Sequence, residues 1–386
     1  MLVQNPDLNG NIVDWKNKAD EVHKSGAYFV IGADILSLTL SKTPGEMGAD
    51  ISFGNSQRFG VPMGFGGPHA AFFACKSDIR YRMPGRVIGV SIDHYGKRAY
   101  RMSMQTREQH IRRDRATSNI CTAQALLANM SAFYGIWHGP SGLTTIAQRV
   151  NHMAHILHDS VSGMGYKVVT DKGSCFDTVV IDISKDSNGV NKIISAFEKE
   201  GINIGVINDH TINVSLNETT TLAEVEKLTS IFSELKGKTT KVCFEDTKYE
   251  GLQSDLQRTS KFMTHHVFNQ VNSETDMLRY IQKLADKDIG LTKSMIPLGS
   301  CTMKLNATVE MIPVTWPEFG QIHPFAPSNQ TEGYKEMIKE LSDYLMVATG
   351  FEAISMQPNS GASGEYAGLL TIRNFHVANG NPHRNV

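Results

Sequence analysis

A short run of small residues near the end of the chain could hold a phosphate group. It consists of Ser360, Gly361, Ala362, Ser363 and Gly364, and it leads into a stretch of helical composition over 365–375. The first turn of a helix offers unpaired backbone N–H groups and positive dipole density, and glycine lets a phosphate approach them closely. No Gly-Lys-Ser/Thr follows, so this is not a nucleoside-triphosphate loop. The run predicts either a phosphate site or a serine-capped, glycine-rich turn without a ligand.

A second polar run lies in a non-periodic loop over 295–306 that apolar residues flank. It places two hydroxyls, a thiol, a lysine and an amide at Ser300, Cys301, Thr302, Lys304 and Asn306. Loops that are polar between apolar flanks often line a binding site. The alternative is a tucked loop with a purely structural role.

Residues 57–69 contain four glycines and two prolines, which force an irregular and tightly turning backbone. This loop could cradle a ligand. It could equally be a crossover at which two chain segments approach closely.

Asp34 follows an apolar run that is predicted to be a strand. A carboxylate in this position could pair with a pyridinium nitrogen of a cofactor. It could also cap the segment over 36–40.

Basic residues are concentrated between Lys97 and Arg115. Seven arginines and lysines stand there against two acidic residues, in a chain whose formal net charge is −1. Such a run suits an acidic macromolecular partner, an ion network between domains, or an ordinary solvated surface.

The elements that must position these residues follow an α/β pattern. Over 1–117, strands alternate with helices, which indicates a mostly parallel sheet with flanking helices. Strands are predicted over 2–4, 28–31, 49–53 and 70–74, and a helix over 14–24. Two helices are predicted over 120–138 and 143–164, and a compact α+β module over 167–235. Residues 236–262 are polar and are predicted to be a linker.

The bulk composition excludes several functional classes. The 386 residues are 40% hydrophobic and 20% charged, as in ordinary globular proteins of more than one domain. The near-zero net charge gives no overall attraction to nucleic acid. The most apolar run, over 27–40, is too short to span a bilayer and contains Asp34. Five scattered cysteines without a Cys-x-x-Cys pair are typical of a reducing compartment.

The polar stretches also carry a family resemblance. Residues 57–73, 105–113 and 117–124 resemble the glycine cleavage system P-protein, the pyridoxal-phosphate-dependent glycine decarboxylase. Residues 297–306 and 357–369 resemble the same family. The resemblance therefore runs through nearly the whole chain, and motifs this long are highly specific.

The resemblance implies the type I fold of pyridoxal-phosphate-dependent transferases, with a mostly parallel sheet and a smaller α+β domain. The family has two related halves. Residues 1–117 are then expected to be the later part of the large domain of a degenerate first half, and residues 118–235 its small domain. Residues 263–386 are expected to open the cofactor-binding second half after the linker. The chain is thus expected to be truncated within the fold at both ends, because a strand begins directly after Met1 and a turn signal precedes Val386.

The resemblance also assigns site residues. Ser360, Gly361, Ala362, Ser363 and Gly364 are expected near the phosphate of pyridoxal phosphate, and Ser300, Thr302 and Lys304 on the substrate side. The lysine that binds the cofactor is expected beyond Val386. In the first half, Arg58 stands where that lysine would fall, so Asp34 is a relic and its pairing with a pyridinium nitrogen is not expected.

The implied activity is aminomethyl-transferring glycine dehydrogenase. The implied partners are glycine, the lipoyl carrier H-protein and the other glycine cleavage proteins, in a homodimer or heteromer. The implied compartment is the mitochondrial matrix in a eukaryote or the cytoplasm in a bacterium. Without its lysine the chain alone is expected to be inactive. A non-catalytic partner subunit and a phosphate-binding module are the competing interpretations.

Overall fold

The computed structural model describes residues 1–83, 87–103, 113–115, 124–186, 188–237, 248–287 and 308–383. These residues form two compact units. The first unit contains the described parts of 1–76 and 125–324, and the second those of 77–124 and 325–386. The predicted run over 295–306 lies outside the described residues.

The first unit opens with a four-stranded sheet in the order β1-β2-β3-β4. Its strands are β1 (Leu2–Asn5), β2 (Val30–Ala33), β3 (Ile51–Asn55) and β4 (Ala71–Cys75). The first three run parallel, with Leu2 opposite Val30 and Val30 opposite Ile51, whereas β4 is antiparallel to β3. The sequence predicted these four strands within about two residues. However, β4 was expected to be buried, and it is an edge strand with mostly exposed side chains.

Helix α1 (Lys16–Lys24) packs on this sheet through one apolar face. Ala19 and Val22 lie three residues apart and therefore face the same side of the helix. They form one core cluster with Phe29, Ile31 and Met47. Burial of these side chains supplies the main stabilisation of the sheet layer, which consists of β1–β4 and α1.

The Asp50 carboxylate forms hydrogen bonds with three separate segments of the sheet layer. Its carboxylate accepts hydrogen bonds from the Phe29 N–H at 2.8 Å and Lys76 Nζ at 2.7 Å, and it lies 2.9 Å from His23 Nε2. Burial alone would raise the pKa of Asp50, but the bonds from Lys76, Phe29 and His23 outweigh it and lower the pKa to about 2. The ionised form is therefore part of the folded structure.

The two helices predicted over 120–138 and 143–164 form one long element, α2 (Ala125–Gly163), with a break at Gly139. Gly139 has φ 59°, and a Cβ there would lie 2.6 Å from the Phe268 carbonyl oxygen. Pro140 follows and cannot donate to the helical ladder. Glycine and proline together therefore account for the break.

The α+β module follows α2 and contains a second four-stranded sheet, in the order β7-β8-β10-β9. Its elements are β7 (Lys167–Val168), β8 (Thr178–Asp182), α3 (Gly189–Lys199), β9 (Gly205–Asn208), β10 (Thr211–Ser215) and α4 (Leu222–Leu235). Phe197 and Phe232 are fully buried between helices and sheet, with ring centroids 5.0 Å apart. This module was predicted from the sequence, except for the short strands β7 and β9.

Helix α4 begins with a capping box. The Thr221 hydroxyl accepts from the Glu224 N–H at 3.3 Å, and the Glu224 carboxylate accepts from the Thr221 N–H at 2.7 Å. This reciprocal pattern satisfies two amides that the helix itself leaves unpaired. It accounts for the start of the helix at Leu222.

Part of the predicted linker is packed. Leu252 and Leu256 are buried in a cluster with Ile12, Leu36 and Phe176. The Lys42 N–H donates to the Leu256 carbonyl at 2.9 Å, and the Arg258 N–H donates to the Leu40 carbonyl at 2.7 Å. Residues 252–258 thus lie against the sheet layer.

The described part of the first unit also contains further helices. They are α5 (Glu274–Ala285), α6 (Thr308–Met311) and α7 (Pro317–Gly320). The second unit contains an antiparallel hairpin of β5 (Val87–Ile92) and β6 (Arg98–Ser103), followed by α8 (Glu332–Thr349) and α9 (Gly361–Ala378). The hairpin was not predicted.

Candidate functional site

The predicted phosphate run forms the start of helix α9. Ser360 is the N-cap, with extended backbone angles of φ −158° and ψ 168°. Its hydroxyl accepts from the Ser363 N–H at 3.2 Å and donates to the Ser363 hydroxyl at 3.1 Å. The serine-capped turn that the sequence offered as one alternative is therefore present, and it leaves the phosphate alternative open.

The donor set at this helix start fits a phosphate. The Gly361 and Ala362 N–H groups precede the first intrahelical hydrogen bond, which the Gly364 N–H makes to the Ser360 carbonyl at 2.9 Å. A Cβ at Gly361 would meet no atom within 4 Å, so the space over these amides is open. The first turn carries no acidic side chain. An anion would meet amide donors and the positive end of an 18-residue helix.

The predicted substrate-side residues fall in a stretch that the structure does not describe. Ser300, Thr302 and Lys304 lie outside the described residues. Their position relative to α9 stays a prediction.

Arg58 is the centre of an ion-pair cluster in the first unit, which we call the Arg58 hub. Its Nη1 contacts Asp177 Oδ2 and lies 3.3 Å from Asp34 Oδ2, and its Nε lies 3.2 Å from Glu218 Oε2. The guanidinium also stands over the Phe176 ring at 5.5 Å from its centroid. The four charged side chains of the hub are all mostly buried.

Burial and charge act in opposite directions on the hub. Burial alone would lower the pKa of Arg58, but Asp34, Asp177 and Glu218 outweigh it and raise that pKa above its ordinary value. For Asp177, burial and the neighbouring Asp34 carboxylate raise the pKa more than Arg58 lowers it. A guanidinium so held stays charged and cannot act as the nucleophilic amine that a lysine supplies.

Asp34 has two structural tasks. Its Oδ1 accepts from the Ser37 N–H at 2.7 Å, which caps the 3₁₀ turn Ser37–Thr39, and its Oδ2 pairs with Arg58. The capping alternative is therefore observed. Because Arg58 pairs with the other oxygen, both carboxylate oxygens of Asp34 are bound by groups of the protein itself.

The glycine-rich loop over 57–69 is a close crossing of two backbone segments. The Gly64 N–H donates to the Gly320 carbonyl and the Phe65 N–H to the Ile322 carbonyl, both at 2.9 Å. A Cβ at Gly64 would lie 2.5 Å from the Gly67 carbonyl oxygen. These contacts support the crossover alternative for this loop.

The basic run is exposed where the structure describes it. Lys97, Arg98, Arg101 and Arg113 all have exposed side chains, whereas Arg107 and Arg112 lie outside the described residues. In the described ranges, no group of three or more His, Cys, Asp or Glu side chains is arranged to hold a metal. None of the helices found there is long and apolar enough to cross a membrane.

Sequence reasoning missed Asp177 and Glu218. They lie 119 and 160 positions from Arg58 along the chain, so no local spacing connects them to it. Asp177 directly precedes β8, and Glu218 lies in the turn before α4. Acidic residues in such places are common, and only the packing of the module on the sheet layer shows their role.

Comparison with known proteins connects this geometry to a family. The family described as glycine cleavage system P-protein matches residues 1–232. A crystal structure of glycine decarboxylase (P-protein) of the glycine cleavage system, in inhibitor-bound form, is 34% identical with a TM-score of 0.55. The match covers 61% of this chain and 54% of that one, so the chain spans about half the length of this relative.

More distant structures are also similar. An aspartate aminotransferase of subgroup IV from Thermus thermophilus is 16% identical with a TM-score of 0.39, covering 61% of this chain and 64% of that one. The apo cysteine desulfurase of Thermococcus onnurineus NA1 is 14% identical with a TM-score of 0.43, covering 61% and 59%. TM-scores this low support no further conclusion.

The match to glycine decarboxylase and the mostly parallel sheet of mixed α/β architecture confirm the predicted type I fold class. The matched residues 1–232 include the Arg58 hub and the glycine-rich loop over 57–69. They do not include the start of α9, so its assignment depends on its own geometry and on the motif resemblance.

Proposed function

The chain belongs to the glycine cleavage system P-protein family, and from that membership we propose that it is part of a pyridoxal-phosphate-dependent glycine decarboxylase. The proposed reaction releases the glycine carboxylate as carbon dioxide and transfers the aminomethyl group to the lipoyl carrier H-protein. The family match over 232 residues carries this proposal.

The start of α9 is the part of the chain that we assign to the cofactor. The Gly361 and Ala362 N–H groups and the Ser363 hydroxyl would donate to the phosphate of pyridoxal phosphate. Ser360 would hold the first turn in place through its bond to the Ser363 N–H. Gly364 would keep a second side chain away from the phosphate. When bound, pyridoxal phosphate supplies an electron sink for the carbanion that decarboxylation leaves.

The substrate side remains as predicted from the sequence. Ser300, Thr302 and Lys304 are proposed to contact glycine, and the lysine that holds the cofactor is proposed to come from sequence beyond Val386. Borohydride trapping followed by peptide mapping would identify the lysine that reacts, and it would show whether Lys304 does so.

The proposed domain organisation follows the two halves of the family. Residues 1–117 and 118–235 are assigned to the large and small domains of the first half, 236–262 to the connection, and 263–386 to the opening of the second half. The proposed assembly is a homodimer or heteromer. The proposed compartment is the mitochondrial matrix in a eukaryote and the cytoplasm in a bacterium.

A non-catalytic partner subunit is the second candidate function, and the Arg58 hub favours it. Arg58 stands where the resemblance places the lysine of the first half, and its guanidinium is held by three carboxylates. A half built in this way can support an active half without performing chemistry. A stable complex between this chain and a chain that carries the lysine would support this candidate.

The phosphate assignment is tested by placing a carboxylate at the helix start of the full chain. Gly361→Glu adds a negative charge beside the amide donors, where the added side chain has open space. Because the charge repels the phosphate, the affinity for pyridoxal phosphate, measured by isothermal titration calorimetry, should fall by about tenfold or more.

Gly368→Glu is the matched control. Gly368 lies in the same helix and also has open space at its Cβ, but it lies well beyond the first turn. Its affinity for pyridoxal phosphate should equal that of the wild type. Equal affinities for all three proteins, or no binding by the wild type, would remove α9 from the cofactor site. The chain alone should release no labelled carbon dioxide from glycine even with pyridoxal phosphate and H-protein added, because the lysine that holds the cofactor is proposed to lie beyond Val386, and robust release would contradict that placement.

A further inference from the structure

The Arg58 hub joins the sheet layer to the α+β module with more negative than positive charge. Asp34 follows β2 in the sheet layer, whereas Asp177 precedes β8 and Glu218 precedes α4 in the module. All three carboxylates contact one guanidinium, and their side chains are 23%, 14% and 23% exposed. One positive charge therefore faces three potential negative charges in a mostly buried space.

The hydrogen bonds of Arg58 show that the compensation is incomplete. Its Nη1 donates to both Asp34 and Asp177, and its Nε donates to Glu218. Its buried Nη2 has no hydrogen-bond partner within the described part of the chain. Two carboxylates thus share one nitrogen while another donor stays unused, so the third negative charge is poorly balanced.

The neighbouring groups do not supply the missing positive charge. Tyr134 of α2 lies against His138 with ring centroids 4.3 Å apart and the rings tilted by 57°, and burial lowers the pKa of His138, which favours its neutral form. Burial raises the pKa of Cys175 to about 12, so this thiol is neutral beside Asp177. The exposed Arg149 guanidinium donates to the Glu218 and Thr220 backbone carbonyls. Because this guanidinium is exposed, solvent screens its charge.

An uncompensated carboxylate in such a space is stabilised most simply by binding a proton. Asp177 is the least exposed carboxylate of the three, and its Oδ1 accepts from the Thr178 hydroxyl at 2.9 Å. We propose that the Arg58 hub holds a proton on Asp177 and is thereby a pH-sensitive joint between the sheet layer and the α+β module. The joint weakens as the pH rises.

The direction of the pH effect follows from the raised pKa of Asp177. A carboxyl whose pKa is higher in the folded than in the unfolded chain stabilises the fold fully at acid pH. That stabilisation is lost as the pH rises through the folded-state pKa. Asp182, at the other end of β8, behaves oppositely because its hydrogen bond from Lys167 lowers its pKa. Other contacts between the layers, such as the Ile12 N–H to the Ser174 carbonyl at 2.8 Å, do not titrate.

The test compares Asp177→Asn with Asp182→Asn in the full chain, by thermal unfolding between pH 4 and pH 9. Asparagine keeps the shape of a protonated aspartate but never ionises. Asp177→Asn should match the wild-type melting temperature at the acid end and exceed it by about 2–4 °C at the alkaline end. Asp182→Asn should never exceed the wild type.

A melting temperature of Asp177→Asn below that of the wild type across the whole pH range would overturn the proposal, because an ionised Asp177 would then stabilise the fold. Wild-type protein with ¹³C-labelled aspartate carboxyls gives a check that needs no variant. The proposal requires one carboxyl that titrates above the ordinary aspartate range. Its absence would overturn the proposal even if Asp177→Asn fails to fold.

Discussion

Two regions of this chain differ in how they bury apolar side chains. The first region, the described residues over 1–235 within the first unit, contains several core clusters with fully buried phenylalanines, among them Phe29, Phe176, Phe197 and Phe232. In the second region, residues 325–383, Thr331 alone is buried. The first region therefore has a core of its own, whereas the helices of the second region expose their apolar side chains.

Helix α9 makes this difference concrete. Tyr366, Leu369, Ile372 and Phe375 lie three residues apart and together cover about half of the helix circumference, and each is more than half exposed. An apolar face this wide is normally buried in the interior of a fold. The region with the packed core thus carries the Arg58 hub, and the region with the candidate phosphate site lacks a core. The proposed cofactor site therefore depends on further packing around α9.

Core truncation should separate the two regions most clearly. Phe232→Ala removes a fully buried ring that lies 5.0 Å from Phe197 and 5.3 Å from Tyr166, between centroids. It should lower the free energy of unfolding by about 3–5 kcal/mol in urea denaturation. Phe375→Ala in α9 should change it by less than about 0.5 kcal/mol. Equal losses would mean that α9 is buried in solution, and the comparison would fail.

The loss of folding stability at acid pH should give the second-largest difference between the two regions. Asp50→Asn removes a carboxylate whose pKa is lowered to about 2. This carboxylate stabilises the fold above its unfolded pKa, and the effect is lost as the pH falls from about 4 through about 2. The variant should be about 2 kcal/mol less stable at neutral pH and should equal the wild type only below about pH 2.

Asp343→Asn in α8 is the control for this titration. Asp343 pairs with Lys339 one turn away at 2.5 Å, and both side chains are exposed. Exposed pairs of this kind contribute little to stability because solvent screens them. A loss at Asp343 as large as that at Asp50 would contradict the expected difference.

Helix caps should give the smallest difference. Thr221→Ala removes the capping box of α4, which packs on the core of the first region, and should cost about 1 kcal/mol in global stability. Ser360→Ala removes the N-cap of α9. It should leave the unfolding of the first region unchanged while reducing helical circular dichroism slightly. A shift of the main unfolding transition by Ser360→Ala would show that the two regions unfold together.

Much of the fold could be read from the sequence because it depends on local patterns. The capping box at Thr221 set the start of α4, and the glycine and proline at 139 and 140 separated two helical patterns where α2 breaks. The hairpin β5–β6 was missed although Ile88, Val90 and Ile92 alternate with Gly89 and Ser91 in β5; these three apolar side chains are exposed and contribute to no core. The exposure of β4 was missed because an apolar run does not show on which side of a sheet it ends.

The sequence by itself determined the α/β architecture, the helix start at Ser360 and the family. These depend on residue order over a few positions, and the helix start needs only a serine cap followed by small residues. Only the tertiary structure decided which ion pairs Arg58 and Asp34 form, because Asp177 and Glu218 lie more than a hundred positions from Arg58 along the chain. A charge in a fold is defined by what packs beside it, and packing brings together residues that no local pattern connects.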